Sequence, residues 1–364
     1  MHFFLLLILF SICMISSCFI LSKISFNVNK FDSLTRGSPI DGLRGILALS
    51  VLVLHFYATY HWKVTGVWEA PNVNFISNFG AISVSYFFLI TGYLFLGKVL
   101  NKDINWKKLY LSRLKRIVPL YYFVTIIILF FTLVFIKESY TYLDLTKWIF
   151  KWIFFKGGDL NHFETSQIIA GVNWTLTYEW AFYFSLPLIC LFFGKKAPQK
   201  HILVISFVFL LFMVYKTNII TYILFPLAYP ALFFQSKIRK IYIKYKYLTS
   251  YMLVALFLYS IFFTAGYSIQ QMTILAFIFA FIVNGFDFFG ILNNKGLKIL
   301  GDISYSVYLI HGLILYLLFT ILNIFDFSLR IEIYYLYFPF VFTLVVLSSF
   351  STYLFVEVPF LNKK

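Results

Sequence analysis

The sequence predicts an all-α, polytopic transmembrane helical bundle with a ten-helix core and one extra N-terminal helix. Three observations predict it. Hydrophobic residues make up 61% of the 364 and charged residues 12%, against about 45–50% and about 25% in an average soluble domain. The apolar residues gather into runs, most of them close to the roughly 20 residues that cross a bilayer as a helix. The basic residues collect in every second connection between those runs.

The runs are, in order, residues 3–22, 45–62, 79–97, 117–136, 174–193, 202–215, 219–235, 248–264, 269–290, 303–323 and 334–355. The sixth is short and the seventh carries Pro226 and Pro230. These two are expected to form a kinked hairpin, since neighbouring helices can satisfy the backbone groups that a proline frees. No internal repeat at a fixed period is present.

Charge sets the expected orientation. With Lys23, Lys30, Arg36 and Arg44 inside the cell, every second loop is also inside, and 23 of the 30 basic residues lie there with 7 outside. Basic residues are retained on the cytoplasmic side of membranes, so one assumption sorts all the loops. The N-terminus is then outside and the tail, Lys363 and Lys364, cytoplasmic. Ile15-Ser16-Ser17-Cys18 resembles a lipoprotein cleavage box. No Lys or Arg precedes the first run, as a signal peptide requires, and cleavage would invert every later loop. Residues 1–37 therefore read as an extra transmembrane helix with its cytoplasmic linker, and 38–364 as the main domain.

The net charge of +16 does not indicate nucleic acid, because no basic segment sits on a soluble domain that could hold a duplex. Cys13, Cys18 and Cys190 lie inside apolar runs without the spacing of a zinc site or a disulfide framework, so no metal is expected. The longest outside segment, 137–173, interleaves Trp148, Trp152 and Phe154 with Lys147, Lys151 and Lys156. It suits either a helix in the membrane interface or a packing lid. Without a soluble catalytic domain, any chemistry lies among the helices.

Ionisable residues at membrane depth are costly and few. Arg44 and His55 are eleven residues apart, which is three helical turns plus about 20°, so both lie on one face of the second span. The rise of about 16 Å puts His55 near mid-membrane while Arg44 stays near the inner surface. A buried His needs a polar partner and can act as a general base near neutral pH; a structural His bonded to another helix is the alternative. Glu179, in Asn173-Trp174-Thr175-Leu176-Thr177-Tyr178-Glu179, is expected about one turn below the outer surface. There it orients a catalytic His, contacts an acceptor, or reaches back to the interface. Arg113 and Arg116 close the inside loop 98–116. Such a pair binds phosphate bidentately, although juxtamembrane basic residues also mark topology or meet anionic lipid. In the tenth span His311 lies about 12 Å into the membrane, with Tyr305 and Tyr308 about a turn to either side of its face. Glu357, before Pro359, reads as a helix-end residue.

In this order the motifs resemble those of the acyltransferase 3 family of membrane acyltransferases, over about residues 38–360. Asp41-Gly42-Leu43-Arg44-Gly45 resembles the family's opening motif, and Arg44 with ten residues before His55 its Arg/Lys-ten-His signature. Phe87-Phe88-Leu89-Ile90-Thr91-Gly92-Tyr93-Leu94 resembles the Phe-Phe-x-x-Ser-Gly stretch, with Thr91 where Ser is usual. Arg113-x-x-Arg116, Trp174-Thr175-Leu176-x-x-Glu179 and Tyr308-Leu309-x-His311 resemble three further motifs. The extra first helix has no counterpart in the family pattern.

The resemblance implies a membrane-embedded O-acyltransferase. It would move an acyl group, acetyl above all, from cytoplasmic acyl-CoA to a hydroxyl of an extracytoplasmic glycan such as lipopolysaccharide O-antigen, capsule or exopolysaccharide. It implies His55, with Glu179, as catalytic, and Arg44, Arg113 and Arg116 on the donor side. Asp41, Trp174, Tyr305, Tyr308 and His311 are candidates for acceptor contact or support. No bound cofactor is expected; acetyl-CoA is a cosubstrate. The expected partners are acyl-CoA, a glycan or lipid-linked glycan, and membrane lipid, with no nucleic acid. The expected location is a bacterial inner membrane. The alternative is a transporter or glycan flippase without acyl chemistry; buried His and Glu serve such proteins too, but the inverted repeats common among them are not visible here.

Overall fold

Helices occupy all eleven apolar runs in the computed structural model, which describes residues 3–24, 31, 37–69, 73–101, 104–193, 198–214 and 218–361. Lys30, Arg36, Lys102, Lys195, Lys196, Lys216, Lys363 and Lys364, counted above for orientation, lie outside the described residues. The helices are α1 Phe3–Lys23, α2 Pro39–Thr65, α3 Asn74–Asn101, α4 Trp106–Phe135, α5 Tyr142–Ile153, α6 Trp174–Phe192 and α7 Lys200–Val214. They continue with α8 Ile219–Phe233, α9 Gln235–Lys244, α10 Lys246–Phe263, α11 Ile269–Ile282, α12 Lys295–Asp302, α13 Ser304–Ile321 and α14 Ile331–Leu361. Among the described residues, eight are long and apolar enough to cross a membrane, and α8 with α9 makes a ninth bent by 68°. The remaining two runs form α7 and α11, which are shorter apolar helices.

Four boundaries depart from the sequence expectation, each for a local reason. Helix α4 begins at Trp106, so Arg113 and Arg116 stand on a helix and not in a loop. Asn105 starts it early by accepting from the Lys108 amide at 2.9 Å. The segment Lys237 to Lys246, expected as a loop, is mostly helical because α8 turns sharply into α9. Helix α8 itself breaks where Pro226 and Pro230 open successive short helical turns, since neither can donate to the turn before it.

The third departure precedes α6. Residues 165–173 do not stay on the surface of the bundle. Thr165, Ile168 and Ile169 are fully buried, and a Cβ on Gly312 of α13 would lie 2.3 Å from the Ile169 carbonyl carbon. The backbone thus enters the bundle beside His311 and α6 starts at depth. Helix α5 covers this entry. It carries a capping box between Thr141 and Asp144, and its inward Trp148 and Trp152 donate to Thr165 Oγ1 and the Gly158 carbonyl. Of the two readings of this segment, the packing matches a lid, while Leu143 and Phe150 remain exposed.

The fourth departure is at Glu357. A π-turn over Tyr353–Glu357 rolls the carboxylate inward, where it is 1% exposed and accepts from Ser306 of α13. It stands about one turn before the helix end at Leu361, as read from sequence, but is buried.

Close backbone contacts set the register of the central helices. A Cβ on Gly301 would meet the Asp41 carbonyl oxygen at 1.8 Å, and one on Gly45 the Leu297 carbonyl oxygen at 2.6 Å. Small residues let membrane helices approach in this way. Helix α1 uses the same device, with Gly296 against the Cys18 backbone, and Phe10 meets Phe338 and Phe342 of α14 edge-on.

Candidate functional site

Two adjacent features collect the polar residues of the bundle: a cation-rich chamber and a histidine pair. The chamber holds about 400 Å³ and is lined from α2, α3, α4, α6 and α13. Seven of the ten residues singled out from sequence line it: Asp41, Arg44, Arg113, Arg116, Glu179, Tyr305 and Tyr308. Lys98, which closes α3, lines it as well.

The local sequence explains each placement. In Asp41-Gly42-Leu43-Arg44-Gly45, Gly45 lets α2 approach α12 and Gly42 lets it approach the Leu292 backbone just before α12, and Arg44 then reaches Ser304 Oγ at 2.9 Å and Asp41 at 3.9 Å. Arg113 and Arg116 are three residues apart on α4, hence neighbours on one helix face. Arg113 sits 4.9 Å from the Phe95 ring centroid, a cation–π contact. The Phe87-to-Leu94 stretch supplies the opposite wall. Gly92 lets α3 approach the Phe225 carbonyl, where a Cβ would lie at 2.2 Å. Thr91 then faces Glu179 at 3.5 Å.

Glu179 faces into the chamber. Because α6 starts inside the bundle, its carboxylate accepts from Tyr183 at 3.3 Å and shares the electrostatic field of Arg113, Arg116 and Arg44. Asp41 and Glu179 supply two negative charges on the chamber wall against four positive ones from Lys98 and the three arginines. A site of that balance in a low-dielectric surround attracts anions. Tyr305 donates to the Ile117 carbonyl at 2.9 Å, and Tyr308 is held by Thr175 Oγ1 at 3.0 Å and the Val172 carbonyl at 3.3 Å.

The histidines stand beyond this chamber. Neither His55 nor His311 lines it. Phe87 and Tyr308 form the intervening wall; the Tyr308 ring is 6.1 Å from Phe87 and 6.2 Å from His311. His55 Nδ1 lies 2.9 Å from His311 Nε2, and His311 Nδ1 lies 2.9 Å from the Val307 carbonyl. A carbonyl only accepts, so His311 Nδ1 carries the proton. In a neutral ring its Nε2 is then an acceptor, and His55 Nδ1 donates to it. The lone pair of His55 is left on Nε2. His311 is fully buried whereas His55 is half-buried, so His55 is the member of the pair that a substrate can reach.

Of the two residues considered for orienting His55, the structure puts His311 against it and puts Glu179 with the arginines. Trp174 does not line the chamber: it is 38% exposed and packs edge-on against Phe88 and Tyr178. Three residues near the site were not singled out for it from sequence. Lys98 looked like a loop residue, Glu357 like a helix end, and Trp68, whose ring lies beside His55, follows a predicted span and carries no periodic signal. Among the described residues no group of His, Cys, Asp and Glu could hold a metal ion.

A family model described as an acyltransferase domain, Acyl_transf_3, matches residues 39–354, from the start of α2 into the last helix. Comparisons with curated proteins and with solved structures gave no match.

Proposed function

The chain belongs to the acyltransferase family Acyl_transf_3, and from that premise we propose that it transfers an acyl group, acetyl in the first instance, from cytoplasmic acyl-CoA to a hydroxyl of an extracytoplasmic cell-surface glycan. The observation that carries the reading is the His55–His311 pair, standing one aromatic wall away from a chamber rich in arginine. In this reading the phosphates of CoA sit on Arg44, Arg113 and Arg116, which present planar donors to phosphate oxygens. All three belong to the side assigned as cytoplasmic by charge. The protein sits in a bacterial inner membrane with its C-terminus inside.

The thioester then reaches His55 past Phe87 and Tyr308. Two routes use the same atom. In one, His55 Nε2 removes the proton of the acceptor hydroxyl as its oxygen attacks the thioester carbonyl carbon; the C–S bond breaks and the proton passes to the departing CoA thiolate. In the other, Nε2 attacks the carbonyl carbon first, the C–S bond breaks and CoA leaves as a thiolate that takes a proton from solvent; the hydroxyl oxygen then takes the acyl group from Nε2 and its proton passes to solvent. In both, His311 accepts from Nδ1 and keeps Nε2 directed at the substrate. Glu179 balances the arginines of the donor side.

The test is purified protein with radiolabelled acetyl-CoA and a glycan acceptor. Label on the glycan, or held on the protein before acceptor is added, is expected, and both are lost in His55→Ala. Glycan movement across the membrane without consumption of acetyl-CoA would replace this reading with a transporter.

A further inference from the structure

The exposed side of His55 is covered by a tryptophan, and the geometry points to Trp68 as the surface on which the acceptor's sugar ring stacks. The inference rests on the acyl-transfer reading and adds the residue that selects a sugar hydroxyl over other hydroxyls.

A continuing helix would carry residue 68 about 20 Å beyond His55. The chain instead reverses at Gly66. Its φ of +76° is in the left-handed region, and its amide donates to the Trp62 carbonyl at 2.8 Å. Thr65 Oγ1 accepts from the Val67 amide at 3.3 Å and steadies the turn. Trp68 consequently comes back over His55, with ring planes 13° apart and centroids 6.3 Å apart. Trp62 braces it edge-on at 5.3 Å and 88°.

Three sides of the reactive ring are thus assigned. His311 backs Nδ1, the Phe87–Tyr308 wall faces the donor chamber, and Trp68 stands on the outer approach. A pyranose presents C–H groups on its face and hydroxyls at its rim. Resting its face on an indole, which is broad, apolar and electron-rich, brings a rim hydroxyl toward His55 Nε2. A hydroxyl compound without a ring gains nothing from that surface. The indole also covers His55 against water, which competes for the acyl group.

The experiment uses the full chain in detergent with radiolabelled acetyl-CoA. The probes are four methyl α-pyranosides (gluco, galacto, manno and rhamno), glycerol, and water as the acceptor of last resort. Trp68→Ala is expected to lower transfer to the accepted pyranosides about tenfold or more, while transfer to glycerol and hydrolysis stay within about twofold or rise. Trp68→Phe, which keeps a stacking face, is expected to retain most pyranoside transfer with a raised KM. An equal fall on all acceptors in both variants, or no fall on pyranosides in either, overturns the inference. A wild-type protein that consumes acetyl-CoA but neither acylates nor is inhibited by any of the four pyranosides overturns it too. A wild-type protein that does not consume acetyl-CoA removes the acyl-transfer reading itself.

Discussion

His55 and His311 face one another across the α2–α13 contact, with Nδ1 of the first 2.9 Å from Nε2 of the second and rings 5.0 Å apart at 21°. The proton order along Val307, His311 and His55 makes the two rings unequal. His55 offers a lone pair to substrate, and His311 offers only support. His55→Ala should therefore lower acyl transfer by about 10²–10⁴-fold, the range of a lost general base. His311→Ala should cost less, since the base remains but its tautomer and direction are no longer held. Transfer rates on both variants, with folding checked by circular dichroism, separate the two roles; equal losses would contradict the order.

The donor chamber should depend on guanidinium geometry as well as charge. A hydrogen bond to a charged group contributes about 1.5–3 kcal/mol, so Arg113→Ala with Arg116→Ala should weaken acetyl-CoA binding by roughly tenfold or more per residue. Replacing both with Lys keeps the charge and loses the planar fork, and should restore only part of the affinity. Titration calorimetry over a range of salt concentrations reads both effects, because removing two cations from the chamber wall also flattens the salt dependence.

The α2–α12 contact leaves no room for a methyl group. Gly301→Ala puts a Cβ 1.8 Å from the Asp41 carbonyl oxygen, and the helices must separate. Overpacking of this kind costs about 1–3 kcal/mol, read as a lower Tm in detergent. Because Arg44 reaches Ser304, which opens α13 just after this contact, donor affinity should fall together with stability.

Helix α5, which is not among the spanning helices, should be pH-sensitive at its first turn. Asp144 takes hydrogen bonds from the Thr141 hydroxyl and backbone amide, and these hold its carboxyl below the usual range. A depressed folded pKa means the cap is fully formed above the unfolded value, about 3.9, and is lost as pH falls through the folded one. Hydrogen exchange at residues 142–145 should quicken at that point in the wild type. Asp144→Asn should remove the pH dependence.

What the sequence determined by itself is local. Eleven apolar runs became helices, because run length and polarity decide how a segment satisfies its backbone in lipid. The helical period put Arg44 and His55 on one face, and both indeed turn to α13, through Ser304 and His311. What only the tertiary structure decided is depth and company. Glu179 joined the arginines because residues 165–173 fold into the bundle and lower the start of α6. Glu357 turned inward through a π-turn, and Trp68 returned over His55 through one left-handed glycine. Periodicity orders residues along a single helix; which residues of different helices share a level depends on where each helix begins and on the glycine contacts that set its register. That is why the histidine helix could be read from the chain, and the wall, the chamber and the roof around it could not.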